Sequence, residues 1–481
     1  MVINPIRPHP GPQKVKTDAA PSKAEIRRVF AGLCLAMFLS ALDQTIVATA
    51  MPTIGVELGD VADTPWIVTA YLVASTLVTP LYGKLADIHG GRLMLLIGVT
   101  IFILGSIACA LAPTLPLLAV ARALQGLGGG GLMSLAQTIV ADLVTPRERG
   151  RYQTYFAAVF VTSSVAGPLL GGFFAQHWHW SLIFWINLPL GLLALVVVET
   201  SLRRLVLRRH PHEVDYPGAA LLAAAAGLLA LALGHRGWTG ATTFALLALS
   251  GLFWALFAFR LGRAREPFIP LSVLANATAR DACLCGAFGL GAFIALAVYA
   301  PIYFEGVFGL SAQISGAALI APMVGTVIGA TVSGRLMARL RRYKTPGVVG
   351  LAAAFLACAA LVWRLEDLAL APFDALLTVI SLGVGAILPI STVSVQNAVE
   401  PRNLGAATAV NQFVRQIFCA LIVAMLGALV MTPGAEALAG GEGAALTGAF
   451  RLAFAAIAIC LAASLLFLLR MEERPLRGAG R

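Results

Sequence analysis

The chain has 481 residues, 59% of them hydrophobic and 12% charged, with a mean hydropathy of +0.86. Soluble domains carry about 25% charged residues, so this composition excludes one and points to a bilayer. A formal charge of +11 does not signal nucleic acid either, because the basic residues form short clusters between apolar runs rather than a stripe with interleaved aromatics.

In chain order, residues 1–27 form a polar, Pro-rich tail with Arg7, Lys14, Lys16 and Lys23 and no short apolar core with a cleavage site, so no cleaved signal is expected. Apolar runs of roughly 17 to 25 residues, the length a bilayer requires, follow at 28–51, 64–82, 93–112, 115–140, 153–175, 181–201, 216–234 and 242–259. Six more lie at 281–304, 312–334, 347–363, 373–395, 404–430 and 446–469. The spacing therefore predicts an all-α polytopic fold with fourteen transmembrane helices. With the first tail inside, 29 of the 34 Lys and Arg residues fall on the inner side, which the positive-inside rule favours for an even number of spans and two cytoplasmic termini. Trp66, Trp178, Trp180, Trp238 and Trp363 fall near the outer ends, as an interfacial aromatic belt does.

The organisation repeats. Gly83-Lys84-Leu85-Ala86-Asp87 closes the second run as Gly334-Arg335-Leu336-Met337-Ala338-Arg339 closes the tenth. Pro146-Arg147-Glu148-Arg149-Gly150 precedes the fifth run as Pro401-Arg402-Asn403-Leu404-Gly405 precedes the thirteenth. The nearly equal separations predict two six-helix bundles, 28–202 and 266–470, with two inserted helices in the linker 203–265 and a short C-terminal tail, 471–481. Parallel repeats of this kind let one half rock against the other.

Ionisable groups inside the runs mark the chemistry, since a charge in hydrocarbon is costly. Asp43 lies mid-run in the first span. Low dielectric raises a carboxyl pKa and a nearby cation lowers it, so Asp43 reads either as a proton carrier or as the permanent ionic partner of Arg122. Arg122 cannot deprotonate and serves as a fixed charge or a backbone donor; it shares a helix face with Gln125. Gln137, Asn187, Gln396, Asn411, Gln412 and Arg415 suggest the polar wall of a cargo cavity, or equally groups that bind helices to one another.

Gly126, Gly128 and Gly131 spell GxGxxG, but inside an apolar helix with no preceding strand this is not a dinucleotide site. Seven cysteines, mostly within spans, give neither a disulfide framework nor CxxC ligands, and His89, His177, His179, His210 and His212 fall in expected loops; no metal is expected.

Leu42-Asp43-Gln44-Thr45-Ile46-Val47 with Ala50-Met51-Pro52, Arg122 through Gly129, Gly167-Pro168-Leu169-Leu170-Gly171-Gly172, Trp178 through Pro189, and Asn411 through Gln416 occur in the order in which the chain resembles the major facilitator superfamily. Within it they resemble the fourteen-span drug:proton antiporters of the EmrB/QacA type. The resemblance implies a proton-coupled exporter of amphipathic, lipophilic or cationic compounds in a bacterial inner membrane, driven by the proton gradient without a cofactor. The alternatives are a dedicated metabolite exporter (siderophore, sugar or lipid-like cargo) and a non-transporting sensor.

It further implies that Gly167, Pro168, Gly171 and Gly172 form an antiporter gate. Asp87 would meet the N-terminal dipole of the thirteenth helix, Arg92 would approach Asp142, and Gly83 belongs to the same conformational loop. Ile88 and Gly91 depart from that loop's usual basic residues. Glu305 stands where Gln is usual and is either an added titrating group or a group in outer water. Expected partners are small-molecule cargo, protons and lipid, with a periplasmic adaptor only where two membranes are present; the monomer is the expected functional unit.

Overall fold

A computed structural model describes residues 23–58, 65–203, 215–234, 240–264, 273, 275–310, 312–340, 342–440 and 443–475. Among them there is no strand. In hydrocarbon no water satisfies backbone N–H and C=O groups, so each apolar run closes its own hydrogen bonds as a helix.

The first half holds α1 (Lys23–Glu57), α2 (Pro65–His89), α3 (Gly91–Ala110), α4 (Leu115–Gly129), α5 (Leu132–Leu143), α6 (Pro146–His177), α7 (Leu182–Trp185) and α8 (Asn187–Leu202). The inserted pair is α9 (Tyr216–Gly234) and α10 (Ala241–Arg263). The second half holds α11 (Ala277–Gly306), α12 (Ala312–Ala318), α13 (Ile320–Arg339), α14 (Thr345–Arg364), α15 (Leu370–Ala398), α16 (Leu404–Gly440) and α17 (Gly443–Arg470). Two starts follow local rules. Pro146 opens α6 behind Thr145, whose N–H is taken by Glu148 at 3.2 Å, and Asn276 accepts the Ala279 N–H at 3.2 Å to open α11.

Twelve helices among the described residues are long and apolar enough to cross a membrane, where the sequence predicts fourteen. The expected fourth span is divided, because Gly130 and Gly131 fall between α4 and α5 and glycine is a weak helix former. The side chain of a larger residue has no room there: a Cβ on Gly130 would lie 2.1 Å from the Ser75 carbonyl oxygen. Thr79 donates to the Gly130 carbonyl at 2.7 Å and so satisfies a group near the break. The expected seventh span is α9, an apolar helix of 19 residues over Tyr216–Gly234.

Three buried clusters result, two within α1 to α8 and one centred on α11 to α17. The inserted pair packs on itself and against α2. Arg260 holds Asp215 through Nε at 3.1 Å and Nη2 at 3.0 Å, and Ser250 donates to the Ala225 carbonyl at 2.8 Å. Phe244, Leu252 and Phe259 of α10 face outward, as a lipid-exposed surface would.

The halves meet closely at the end that carries the basic loops, called here the inner end. Asp87, at the end of α2, accepts the N–H groups of Gly405 and Ala406 at 2.9 Å each, where the first turn of α16 leaves donors unpaired. The two halves also touch where Gly150 of α6 abuts Gly334 of α13. A Cβ on Gly83 would lie 2.3 Å from the Ala409 Cβ and 2.7 Å from the Gly405 oxygen. Backbone cannot yield there, so Gly83→Val is expected to part α2 from α16. Spin labels at His89 and Asn403 should report a longer, broader distance in the variant by double electron–electron resonance; an unchanged distribution would contradict this.

Candidate functional site

Asp43 and Arg122 lie in the core of the first half, 0% and 1% exposed. Arg122 reaches Asp43 Oδ2 through Nη1 at 2.6 Å, and the same nitrogen donates to Gln125 Oε1 at 2.6 Å. Its Nε donates to the Ile67 carbonyl at 3.2 Å, and the guanidinium sits 4.3 Å from the centre of the Tyr71 ring. Gln125 Nε2 donates to Asp43 Oδ1 at 2.8 Å and to Ser106 Oγ at 2.6 Å. Asn187 Nδ2 repeats the pattern, with Asp43 Oδ1 at 3.1 Å and Ser106 Oγ at 3.0 Å.

Side chains from α1, α3, α4 and α8 thus converge on one carboxylate. The convergence needs α3 and α4 close together, which Gly105 allows: a Cβ there would lie 2.4 Å from the Gln125 Cα. Burying two ions costs several kcal/mol each, and the loss is offset only when geometry is good and the remaining polar atoms are paired. Here both Asp43 oxygens have donors. A proton on Oδ2 would displace the Arg122 N–H, so protonation and the ion pair exclude one another at that atom.

Gln125 and Asn187, expected as cavity wall or as helix-binding groups, therefore hold Asp43. Ser106, Ser40 and Tyr71 complete the surroundings, with the Ser40 and Tyr71 hydroxyls 3.1 Å apart. Sequence reasoning passed over all three, since a hydroxyl in an apolar helix is ordinary; the signal available was Ser106 lying one turn before Cys109, whose thiol faces Gln125 at 3.5 Å.

Among the described residues of the second half no acid matches Asp43. Arg415, 4% exposed, is bonded by Ser391 Oγ, by Thr392 Oγ1 at 3.1 Å and by the Leu388 carbonyl at 3.4 Å, and no carboxylate pairs with it among the described residues. Asn411, one turn away, has neither amide atom partnered. Gln412 reaches across the seam to Met133 Sδ at 3.1 Å, and Gln396 donates to Thr408 Oγ1 at 3.2 Å. Gln137 is buried with its Oε1 unpartnered.

Of the residues expected to gate, Gly167 packs on Thr45 of α1, two residues from Asp43, and Thr45 donates to the Ser163 carbonyl at 2.9 Å. Pro168, Gly171 and Gly172 share α6 with it. Gly171 is buried, Gly172 has open space where a side chain would project, and the Pro168 side chain lies outside the described residues. Asp87 makes the helix-terminus contact given above. The fork that Arg92 makes is to Glu199, at 3.1 and 2.5 Å, where the expected partner was Asp142; both Glu199 and Arg92 stand at the inner ends of their helices. Glu305 ends α11, and its side chain lies outside the described residues.

The family model for the major facilitator superfamily matches residues 33–423. This chain belongs to that superfamily. It is 32% identical over 426 residues to the multidrug transporter protein MdtP of Bacillus subtilis, covering 87% of this chain and 77% of the relative. Multidrug resistance protein 3 of the same organism is 33% identical over 411 residues, 84% of this chain and 80% of the relative. Among solved structures, the human organic anion transporter MFSD10 superposes with a TM-score of 0.64 at 18% identity, over 91% of this chain and all of that one. The proton:xylose symporter XylE gives 0.64 at 13% identity, over 94% and 98%. These last two establish the fold alone. The chain is a membrane transporter of helical build, and neither its family nor its structural neighbours are enzymes.

Removing one member of the Asp43–Arg122 pair strands the other. Asp43→Asn or Arg122→Gln alone is expected to lower stability by about 3–5 kcal/mol, and the double substitution by less than either. Thermal denaturation of the detergent-purified transporter reads the cycle; additive losses would show that the two side chains do not stabilise one another.

Proposed function

We propose that this transporter is a proton-coupled antiporter that exports amphipathic, lipophilic or cationic compounds by alternating access. It belongs on this reading to the fourteen-span drug-exporting branch, resides in a bacterial inner membrane with both termini cytoplasmic, and works as a monomer. The observation that carries the reading is the buried Asp43, held by Arg122, Gln125 and Asn187 with both carboxylate oxygens occupied. Such a group has two distinct arrangements: ionised with the network closed, or protonated with a donor displaced. That is what a device alternating between proton and cargo requires.

Further support comes from three directions. Relatives that share a third of their residues are named as multidrug transporters. The fourteen-span count is supported by twelve candidate crossings, the divided α4–α5 segment and the 19-residue apolar α9. The inner seam, closed through Asp87 and Gly405, supplies one end state of a rocking cycle. Each proton entering down a potential supplies about 2.3 kcal/mol per 100 mV, and no cofactor is needed. Gly167 against Thr45 gives α6 a contact beside Asp43 through which protonation would reach the gate.

The test is transport in proteoliposomes under an imposed pH gradient, with a panel of unrelated dyes as cargo. Wild-type protein should move several of them only when the gradient is present. Asp43→Asn should insert and fold but lose gradient-driven movement. Gradient-driven efflux at the wild-type rate in that variant would remove Asp43 from the proton path.

A further inference from the structure

Arg122 is held by more than Asp43. Its guanidinium carbon lies 4.3 Å from the centre of the Tyr71 ring and 5.7 Å from that of Phe184, both rings are buried, and its Nε donates to the Ile67 carbonyl. Ile67 and Tyr71 stand one turn apart on α2, so one face of that helix offers the cation a carbonyl oxygen and an aromatic surface. Phe184 of α7 closes a second side. An aromatic face attracts a cation through its quadrupole, and more strongly where water is excluded.

The glycines of α4 make this approach possible. Arg122, Gly126 and Gly129 recur at helical spacing on the face of α4 that meets α2. A Cβ on Gly126 would lie 2.5 Å from the Tyr71 backbone oxygen, and one on Gly129 would lie 2.3 Å from the Tyr71 hydroxyl. That hydroxyl is 3.1 Å from Ser40 Oγ, which ties the ring to α1 one turn before Asp43. The glycine-rich run that holds no nucleotide thus seats an aromatic ring against a buried cation.

What the ring meets depends on Asp43. With the carboxylate ionised and 2.6 Å from Nη1, the negative face of the ring sees cation and anion together, and attraction to one is opposed by repulsion from the other. With Asp43 protonated, Arg122 keeps the Ile67 carbonyl, Gln125 and the two rings, and only the attraction is left. The rings therefore favour the protonated form. Besides Asp43, the titratable groups acting on Arg122 are Cys109 of α3 and Tyr71 itself, while Asn187 of α8 and Ser163 of α6, beside Thr45, are neutral. We propose that Tyr71, assisted by Phe184, is a positioning residue for proton exchange: its ring retains the Arg122 charge when Asp43 takes up a proton, and so sets the pH at which uptake occurs. This rests on the antiporter reading above, in which Asp43 carries the proton.

Infrared titration of the purified full-length transporter in detergent tests it, through the protonated-carboxyl band that Asp43→Asn abolishes. Tyr71→Leu removes the aromatic face, so the protonated form loses support and the midpoint of the band should fall by roughly half to one pH unit below that of the wild type. Tyr71→Phe keeps the face and should titrate with the wild type. A ring that served packing alone would change thermal stability in Tyr71→Leu and leave the midpoint where it was; that result would overturn the proposal. So would an equal fall in Tyr71→Phe, which would make the hydroxyl the operative group. If Tyr71→Leu fails to fold, Phe184→Leu decides: it removes the more distant face, a smaller fall in the same direction is expected, and an unmoved midpoint overturns the proposal. A wild-type protein with no such titrating band would refute the proton reading and this inference with it, whereas a titrating band that ignores both rings removes the inference alone.

Discussion

A charge placed in hydrocarbon must be matched where it stands, and the first half of this transporter is arranged around that requirement. Asp43 of α1 is fully enclosed, so its partners come from three further helices: Arg122 and Gln125 of α4, Asn187 of α8, and Ser106 of α3 through the two amides. Each helix is fixed in rotation and depth by the polar atom it must present. Gly105 exists where α3 must approach α4 closely enough for those bonds to close. Packing alone would not set such a register, since lipid tails compete with apolar side chains on nearly equal terms.

The seam between halves follows a different rule. There the tightest contacts are backbone against backbone, at Gly83 with Gly405 and at Gly150 with Gly334, with the Asp87 carboxylate seated on the free N–H groups at the start of α16 and Gln412 touching Met133 beside them. Close glycine contacts add attraction only while the surfaces touch, and they leave no side chain that must unlock. A seam of this type can part as a unit, in keeping with rigid-body rocking of two bundles. Asp87 supplies the charged element: it favours the closed inner end through a helix dipole rather than through a fixed cation.

Much of the fold was legible in the sequence, because hydrocarbon thickness sets helix length and the apolar runs are long. The chain repeat at Gly83 and Gly334, and at Pro146 and Pro401, predicts two halves, while it is the family resemblance that implies the contact of Asp87 with the start of α16. What the runs could not reveal was the break at Gly130 and Gly131, since hydropathy does not respond to two glycines in an otherwise apolar segment. At the site, Asp43 and Arg122 stood out by cost. The role of Gln125 and Asn187 did not, because a buried amide has the same sequence appearance whether it lines a cavity or binds a carboxylate. The Arg92–Glu199 contact was not legible for a related reason: several acids lie near the inner loops, and only the geometry of α3 and α8 brings Glu199 to Arg92.

The central claim is that a proton and the cargo contend for the state of Asp43. Cargo binding to the detergent-purified transporter in weakly buffered solution, followed with a pH indicator, tests it without any membrane gradient. The claim predicts proton release on cargo addition by the wild-type protein and none by Asp43→Asn at matched cargo occupancy. Equal release from both proteins, or none from the wild type when cargo is bound, would contradict it.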